Sequence, residues 1–418
     1  MILPCRIHRT CRLIDSLPLA LLFAAFLLSL ISEAAGAGGG SHVPLEITTG
    51  VDFGYDDNVI GSNPAAGSSS PTSFFAKESL VLTYDRPKEQ TQVSLLAVGR
   101  FTQYFDVSTD DKDLNLTASL RHNFTTRLSF YASVYGAYQT EPNFQSNIGP
   151  TNVRAPHFDT TDIFSLTYRW LPRLSSVTSY TFERVKYESS TTTTTAVGLA
   201  QDRYQNTLAE SLQFSLTSRT RLTGEYQFEV IDYDTAPSRD ATIHFVLAGV
   251  DHHLTEHLSI NLFGGPSFRF FKNDGNSINP YAQVKIDYQA GNHSLSWITT
   301  YGTEQPSETL AAGATTLRTG LNLAYHLTSR INLNAGVNYD HEENQAGTTG
   351  TLGTVGSTST GSQDALNFNL SLKYTINKHF ALHADYEYTN QNSSGGTSSG
   401  GTSGYSRNRY FAGVTYKY

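Results

Sequence analysis

Cysteine, methionine and charge are scarce in this chain. Of its 418 residues, two are cysteine and one is methionine, and charged residues make up 16%. Both cysteines, Cys5 and Cys11, lie near the N-terminus, so the remainder offers neither disulfides nor thiolate metal ligands. The formal net charge is −8. This value argues against a general nucleic-acid-binding protein, because such proteins carry a basic surface.

Long apolar runs are also lacking, apart from one near the N-terminus. Leu17–Ile31 follows several arginines and precedes the small residues Ala35–Ala37, an order typical of a cleaved secretory signal peptide. The run is about 15 residues, whereas a spanning helix needs ~20. We therefore expect a signal peptide at 1–37 and one folded unit at 38–418. No second run and a mean hydropathy of −0.31 exclude a helical membrane protein.

Strand periodicity is the main feature that is present. Within Thr316–Asp340, every second residue is apolar or aromatic, and the residues between them are polar or small. A second alternating row begins after the short segment Leu327–Arg330. A period of two predicts strands with one apolar and one polar face. Two such strands joined by a few residues predict a hairpin.

The same hairpin pattern recurs along the whole chain. We predict eighteen strands, at 46–55, 74–84, 91–105, 112–123, 127–139, 158–170, 173–187, 203–217, 221–233, 242–253, 257–270, 278–290, 293–303, 314–326, 330–341, 364–375, 379–390 and 406–418. Short turns alternate with connections that are mostly long and rich in Ser, Thr, Gly and Asn. An even number of antiparallel strands with this alternation is typical of an outer-membrane barrel. We therefore predict an all-β, transmembrane, antiparallel up-and-down β-barrel of about 18 strands, with 16 as the alternative count. Its short turns would be periplasmic and its long loops extracellular.

Aromatic residues at strand ends favour a membrane location. We expect two girdles at the lipid headgroups. One contains Tyr84, Trp170, Tyr288, Tyr325, Tyr374 and Tyr416; the other contains Tyr55, Tyr104, Tyr138, Tyr187, Tyr233, Tyr301, Tyr339 and Tyr388. The last strand ends with Tyr416 and Tyr418. This ending resembles the terminal strand of bacterial outer-membrane proteins, which implies recognition of Tyr416 and Tyr418 by the barrel-assembly machinery.

The first strand ends in three oxygen-bearing side chains, Asp56, Asp57 and Asn58. They are a candidate site for a hard cation, although Asp and Asn also favour a plain turn. The Tyr55–Asn58 segment resembles the opening of the putative β-barrel porin 2 family. That resemblance implies a barrel associated with exopolysaccharide synthesis and secretion proteins. It supplies no functional residues.

The polar row of each strand predicts the inner surface of the barrel. The basic residues placed there are Arg100, Arg121, Arg169, Arg269, Lys285, Arg318, Lys373, Arg407, Arg409 and Lys417; the acidic ones are Glu225, Glu229, Asp287, Asp340, Asp385 and Glu387. The basic excess predicts a mildly cationic pore for anionic solutes or an anionic polymer. Alternatively, the charges pair across strands and select nothing. We expect Arg318 to be unpaired, because Asn332 and Asn334 on the next strand are neutral.

Some residues do not fit a simple pore. His383, Asp385 and Ser371 suggest a hydrolytic site, but they share the inner face, whereas an outer-membrane lipase faces lipid near the rim. We therefore predict no enzyme, no metal and no cofactor. Glu78 and Glu210 fall on the apolar rows. Either a β-bulge shifts the register there, or both residues lie near a membrane interface.

Two functions remain. Only about eight residues, 38–45, separate the predicted cleavage point from the first strand, so we expect a passive conduit without an N-terminal plug. The family resemblance favours export of an exopolysaccharide. A general or anion-preferring diffusion porin for small solutes is the alternative. The expected partners are outer-membrane lipid, the barrel-assembly machinery and polysaccharide synthesis or export proteins, and no nucleic acid.

Overall fold

The computed structural model describes residues 45–61, 70–141, 155–188, 201–272, 276–305, 313–345, 361–394 and 404–418. The predicted signal peptide, residues 1–37, lies outside these segments, as do parts of most long connections. In the described segments no helix is long and apolar enough to cross a membrane.

Eighteen strands form the fold. They are β1 Leu45–Asp56, β2 Ser73–Pro87, β3 Thr91–Tyr104, β4 Asp110–Asn123, β5 Leu128–Gln139, β6 His157–Leu171, β7 Leu174–Tyr187, β8 Arg203–Ser215, β9 Thr220–Tyr233, β10 Ala241–His253, β11 Leu258–Phe271, β12 Ser277–Ala290, β13 His293–Glu304, β14 Gly313–His326, β15 Ile331–Gln345, β16 Ser362–Thr375, β17 Phe380–Ser394 and β18 Tyr405–Lys417. A short 3-10 turn, Pro237–Arg239, lies between β9 and β10. The predicted strand count is confirmed, and no predicted strand end differs from the structure by more than about four residues, which is the usual uncertainty of a boundary.

The sheet closes on itself. Each strand pairs antiparallel with its sequence neighbours, and β1 also pairs with β18, from Thr48 opposite Lys417 to Asp56 opposite Arg409. A closed sheet leaves no backbone edge unpaired, which is the condition for crossing a lipid bilayer with strands. The predicted all-β, antiparallel barrel is therefore confirmed.

Side-chain alternation separates two surfaces. On β1, the outward Val51 and Phe53 are 41% and 63% exposed, while Asp52 and Asp56, between and beyond them, are buried. On β14, the outward Leu321 is exposed, as expected from the period of two. The outer surface is thus the apolar, lipid-facing one, and the polar rows face the lumen.

The lumen is partly filled at its extracellular end. After β1 the chain turns inward, and Val59 is fully buried against Phe75, Tyr104 and Phe411. Across the barrel, Ala236 in the β9–β10 connection packs on a buried apolar cluster, which comprises Ile231, Tyr233, Ile243, Phe245 and Leu247. Two described connections therefore narrow the channel from the extracellular side.

Candidate conduit through the barrel

The strand register places all fifteen charged residues predicted to line the lumen on inward rows. They are Arg100, Arg121, Arg169, Glu225, Glu229, Arg269, Lys285, Asp287, Arg318, Asp340, Lys373, Asp385, Glu387, Arg407 and Arg409. They do not all meet the pore water. Arg269 is 2% exposed and Arg407 is 4% exposed, so both belong to packed polar layers. Lys373, in contrast, is exposed.

The predicted cationic excess across the whole lumen is wrong. The inward rows also carry acidic residues that the sequence interpretation did not count: Asp52, Asp56, Asp111, Glu183, Glu304 and Glu342. Asp113, on the inward row of β4, is a further one. The structure instead shows charges of both signs distributed unevenly along the lumen.

Arg318 is paired, contrary to expectation. Its guanidinium forms an ion pair with Glu304 on β13, and its Nε lies 3.3 Å from Asp340 Oδ1 on β15. Asp340 is the register partner of Arg318. The neutral Asn332 and Asn334, which suggested an unpaired charge, lie further along β15, opposite His326 and Ala324.

A buried network closes the extracellular end near the β1–β18 junction. Arg407 Nε donates to Asp56 Oδ1 at 3.0 Å, and its Nη1 donates to Glu141 Oε2 at 2.7 Å. Tyr104 Oη donates to Asp111 Oδ2 at 3.0 Å. Because Asp56 is fully buried and bonded to Arg407, the network fixes β18 to the inward turn after β1.

The candidate cation site at the end of β1 has another use in the structure. Asp56 holds Arg407, and its Oδ1 also accepts the Asn58 backbone N–H at 3.0 Å. Asp57 accepts both the backbone N–H and the side-chain amide of Asn408, at 2.6 and 2.7 Å. Asn58 donates to the Ser406 carbonyl. The three residues therefore do not converge on one point but join β1 to β18.

Three tyrosines predicted to lie in the extracellular girdle point inward instead. Tyr104, Tyr187 and Tyr233 are 4–5% exposed. The Tyr233 hydroxyl donates to Gln305 Oε1 at 2.7 Å, and the Arg239 guanidinium lies 4.1 Å from its ring centroid. Their position at strand ends suggested the girdle, but their place in the two-residue alternation puts them in the lumen.

The histidine cluster lacks the geometry of a hydrolase. His383 Nε2 lies 2.7 Å from Asp52 Oδ1 on β1 and 3.7 Å from Asp385 Oδ2. Lys77 Nζ on β2 completes the group, 3.1 Å from Asp52. Ser371 bonds Asp385, not His383. A serine nucleophile needs a base within hydrogen-bond reach, so this cluster is an ion-pair network on the lumen wall.

The end of the barrel at the short turns contains an arginine-lined cavity. This cavity, of ≈ 780 Å³, lies among the short turns and the inward rows of β4–β9. Arg127, Arg169 and Arg221 line it, with Glu89 as the acidic residue. Arg221 pairs with Asp251, whereas Arg127 and Arg169 form no ion pair with any described residue. We call this cavity the vestibule. The sequence interpretation included Arg169 but missed Arg127, which lies in a turn, and Arg221, at a strand end.

Hydroxyl and amide groups complete the vestibule wall. They belong to Gln90, Asn123, Thr125, Ser129, Thr167, Ser175 and Gln213. Such groups donate and accept hydrogen bonds without charge. The vestibule therefore combines unpaired positive charge with neutral hydrogen-bonding groups.

Glu78 and Glu210 face outward without a bulge. The β1–β2 and β2–β3 ladders run continuously past Glu78, which lies between Val51 and Phe101. The β7–β8 and β8–β9 ladders likewise pass Glu210 without a shift. Thr178 Oγ1 donates to the Glu210 carboxylate at 2.5 Å. A register shift is therefore not the explanation for either residue.

Several solved structures share the general shape of the barrel. The copper transporter OprC has a TM-score of 0.45 at 12% identity, with 91% of this chain and 81% of that chain covered. OpdK from Pseudomonas aeruginosa has a TM-score of 0.44 at 10% identity, with 90% and 98% covered. OccAB4 from Acinetobacter baumannii has a TM-score of 0.42 at 13% identity, with 90% and 98% covered. Such low values carry no information about the transported solute. No curated protein matches the chain.

A family model matches nearly the whole chain. The model of the family described as putative beta-barrel porin 2 matches residues 33–418. This range contains all eighteen strands, including the β1–β18 pair that closes the barrel. The chain is an outer-membrane β-barrel of the porin class, and it belongs to the putative β-barrel porin 2 family.

Proposed function

We propose that the barrel is a conduit through which an exopolysaccharide leaves the periplasm. The observation that carries this proposal is the vestibule, because its unpaired Arg127 and Arg169 meet the periplasm beside a wall of hydroxyls and amides. Sugar hydroxyls bond to such neutral groups, and guanidinium groups bond carboxylate or phosphate substituents. The association of the family with exopolysaccharide systems also supports export.

The difference between the two ends supports export over uptake. At the extracellular end, Arg407 is bonded to Asp56 and Glu141, and Val59 is packed inside the wall. The Arg407 guanidinium is therefore already neutralised by acids. At the periplasmic end, positive charge projects into water and attracts an anionic chain from that side. Transport through such a conduit is passive and requires no catalysis.

Sided block of ion current in planar bilayers tests the proposal. Polygalacturonate, an anionic glycan, should block the wild-type channel at a lower concentration from the periplasmic side than from the other side. Arg127→Gln/Arg169→Gln should raise the periplasmic blocking concentration about tenfold, a loss of ~1.4 kcal/mol. The matched control is Arg330→Gln/Lys378→Gln, which removes two charges from turns outside the vestibule.

The outcomes separate the two functions. Equal block from both sides, unaffected by either pair of substitutions, contradicts a periplasmic entry site. Free passage of small anions with no polymer block at any concentration favours the diffusion porin instead.

A further inference from the structure

A ring of asparagine side chains surrounds one glycine on the lumen face of β14–β16. In register, Asn322 on β14 lies opposite Gly336 on β15, and Gly336 lies opposite Asn369 on β16. Asn334 and Asn338 flank Gly336 along β15, two residues away on each side. Because alternate residues of a strand share a face, all four amides surround Gly336 on the same surface.

The glycine makes this arrangement possible. A Cβ at Gly336 would lie 2.4 Å from Asn369 Oδ1 and 3.0 Å from Asn322 Oδ1. The two amides from β14 and β16 therefore lean toward each other over the bare backbone of β15. Gly336 is buried at the centre of this group, and the four asparagines form the rim around it. We call it the amide ring.

The four rim amides are unused within the described structure. None of Asn322, Asn334, Asn338 and Asn369 makes a hydrogen bond to a described residue, and the buried Asn338 Nδ2 has no partner. Neighbouring amides show that bonding is available here: Asn367 Nδ2 donates to Thr389 Oγ1 at 3.2 Å. Asn322 and Asn334 are exposed to the lumen. Each free amide offers two donors and an acceptor to a ligand.

The ring is neutral, which defines its ligand. The nearest charged groups are paired or lie outside the ring. Glu387 on β17, opposite Asn369, pairs with Arg409. Arg318 is paired with Asp340 beyond one edge, and Lys373 lies beyond the other. An ion would find no compensating charge at Gly336. A sugar ring carries neighbouring hydroxyls that match paired amide donors and acceptors.

We propose that the amide ring is a binding subsite for uncharged sugar units, formed by Asn322, Asn334, Asn338 and Asn369 around Gly336. The inference rests on the proposed function, since it specifies how the conduit holds the chain beyond the vestibule. The vestibule selects by charge and the amide ring by hydroxyl pattern. A polymer in which uncharged sugars alternate with charged ones engages both.

Current block by uncharged oligosaccharides tests the subsite. Maltohexaose and cellohexaose are the probes, added to wild-type channels in planar bilayers. At least one should produce transient blocks. Asn322→Ala/Asn369→Ala should raise its half-blocking concentration at least fivefold, with the open-channel conductance preserved. Asn261→Ala, an inward asparagine on β11, is the matched control and should behave like the wild type.

Gly336→Ala gives a second, independent variant. The three atoms nearest the added methyl belong to two flexible side chains, so we expect the barrel to fold while the amides are pushed apart. Block by the same sugar should weaken as in the double variant. Folding of every variant is checked by heat-modifiable mobility on gels.

Salt dependence distinguishes this inference from the proposed function. Block by an uncharged sugar should be the same at 0.1 M and 1 M salt, whereas block by polygalacturonate should weaken as salt screens the arginines. If neither oligosaccharide blocks the wild type, or if Asn322→Ala/Asn369→Ala leaves block unchanged, the subsite is contradicted while the vestibule stands. If polygalacturonate alone fails to block, the proposed function fails and the subsite stands.

Discussion

His383 on β17 reaches over Gly413 on β18 and contacts Asp52 on β1, with 2.7 Å between Nε2 and Oδ1. In register, His383 lies opposite Gly413, and Gly413 lies opposite Asp52. The contact therefore skips one strand at the point where the barrel closes. It is possible because Gly413 has no side chain: a Cβ there would lie 2.0 Å from Asp52 Oδ1 and 2.4 Å from the Val51 carbonyl oxygen.

Gly413→Ala should destabilise the closed barrel. The methyl group clashes with backbone as well as with Asp52, so the His383 contact breaks and β1 shifts against β18. We expect a loss of about 2 kcal/mol in the free energy of unfolding, measured by urea titration in lipid vesicles. Gly224→Ala is the control, because its added methyl meets no atom within 4 Å. Equal stability of the two variants would contradict the role of Gly413.

Arg318→Glu should impair folding. The substitution removes the partner of Glu304 and Asp340 and adds a third carboxylate beside them. Breaking a largely buried pair costs about 3 kcal/mol or more. Urea unfolding in vesicles measures the loss, and Arg169→Glu, at an arginine without an ion-pair partner in the described segments, should unfold like the wild type. Wild-type stability of Arg318→Glu would mean that these pairs do not form.

Strand number and strand limits could be predicted because each depends on local signals. The period of two and the alternation of short turns with long loops identify every strand from its own residues. Contacts between side chains of non-adjacent strands could not be predicted in this way. The His383–Asp52 pair requires an empty position at Gly413 between them, and the Tyr233–Gln305 bond joins elements 72 residues apart.

The pairing of charges in the lumen could not be predicted from the sequence either. Arg318 was expected to be free because Asn332 and Asn334 on the next strand are neutral, but the register brings it to Asp340, eleven positions beyond the turn residue Ser329. The vestibule contains turn residues such as Arg127, to which no strand periodicity applies. The amide ring depends on the register of three strands, β14, β15 and β16, which no single strand's residues determine.

Glu210→Leu should stabilise the barrel. Glu210 is on the outer row of β8, between the exposed Leu208 and Leu212. Removing a carboxylate from a lipid-facing position should raise the free energy of unfolding by about 1 kcal/mol. The control is Glu225→Leu, whose side chain lies on the inward row of β9, and which should give no such gain. A loss of stability in Glu210→Leu would place that face against protein or water.

Asp202 should make stability depend on pH. It lies between β7 and β8, outside the spanning strands, and its Oδ1 accepts the Tyr187 N–H at 2.8 Å. Burial raises the pKa of Asp202 to about 6, against the opposing effects of that hydrogen bond and of Arg184. Because the folded pKa exceeds the ordinary value of 3.8, the contribution of Asp202 to stability is present at low pH and is lost as the pH rises through about 6.

Asp202→Asn removes this dependence and retains an oxygen for the Tyr187 N–H. The variant should be more stable than the wild type by about 3 kcal/mol at pH 7.5, and the two should agree near pH 3.5. Urea unfolding at both pH values measures the difference. A constant difference across this range would show that Asp202 titrates normally.

The location of the polymer in living cells tests export most directly. Surface and periplasmic exopolysaccharide are measured in the native bacterium with and without the barrel. We predict that loss of the barrel depletes the surface polymer and accumulates it in the periplasm. Wild-type protein should restore export, and Arg127→Gln/Arg169→Gln should restore it only in part. Undiminished surface polymer, together with slower uptake of small solutes, would contradict the conduit and identify a diffusion porin.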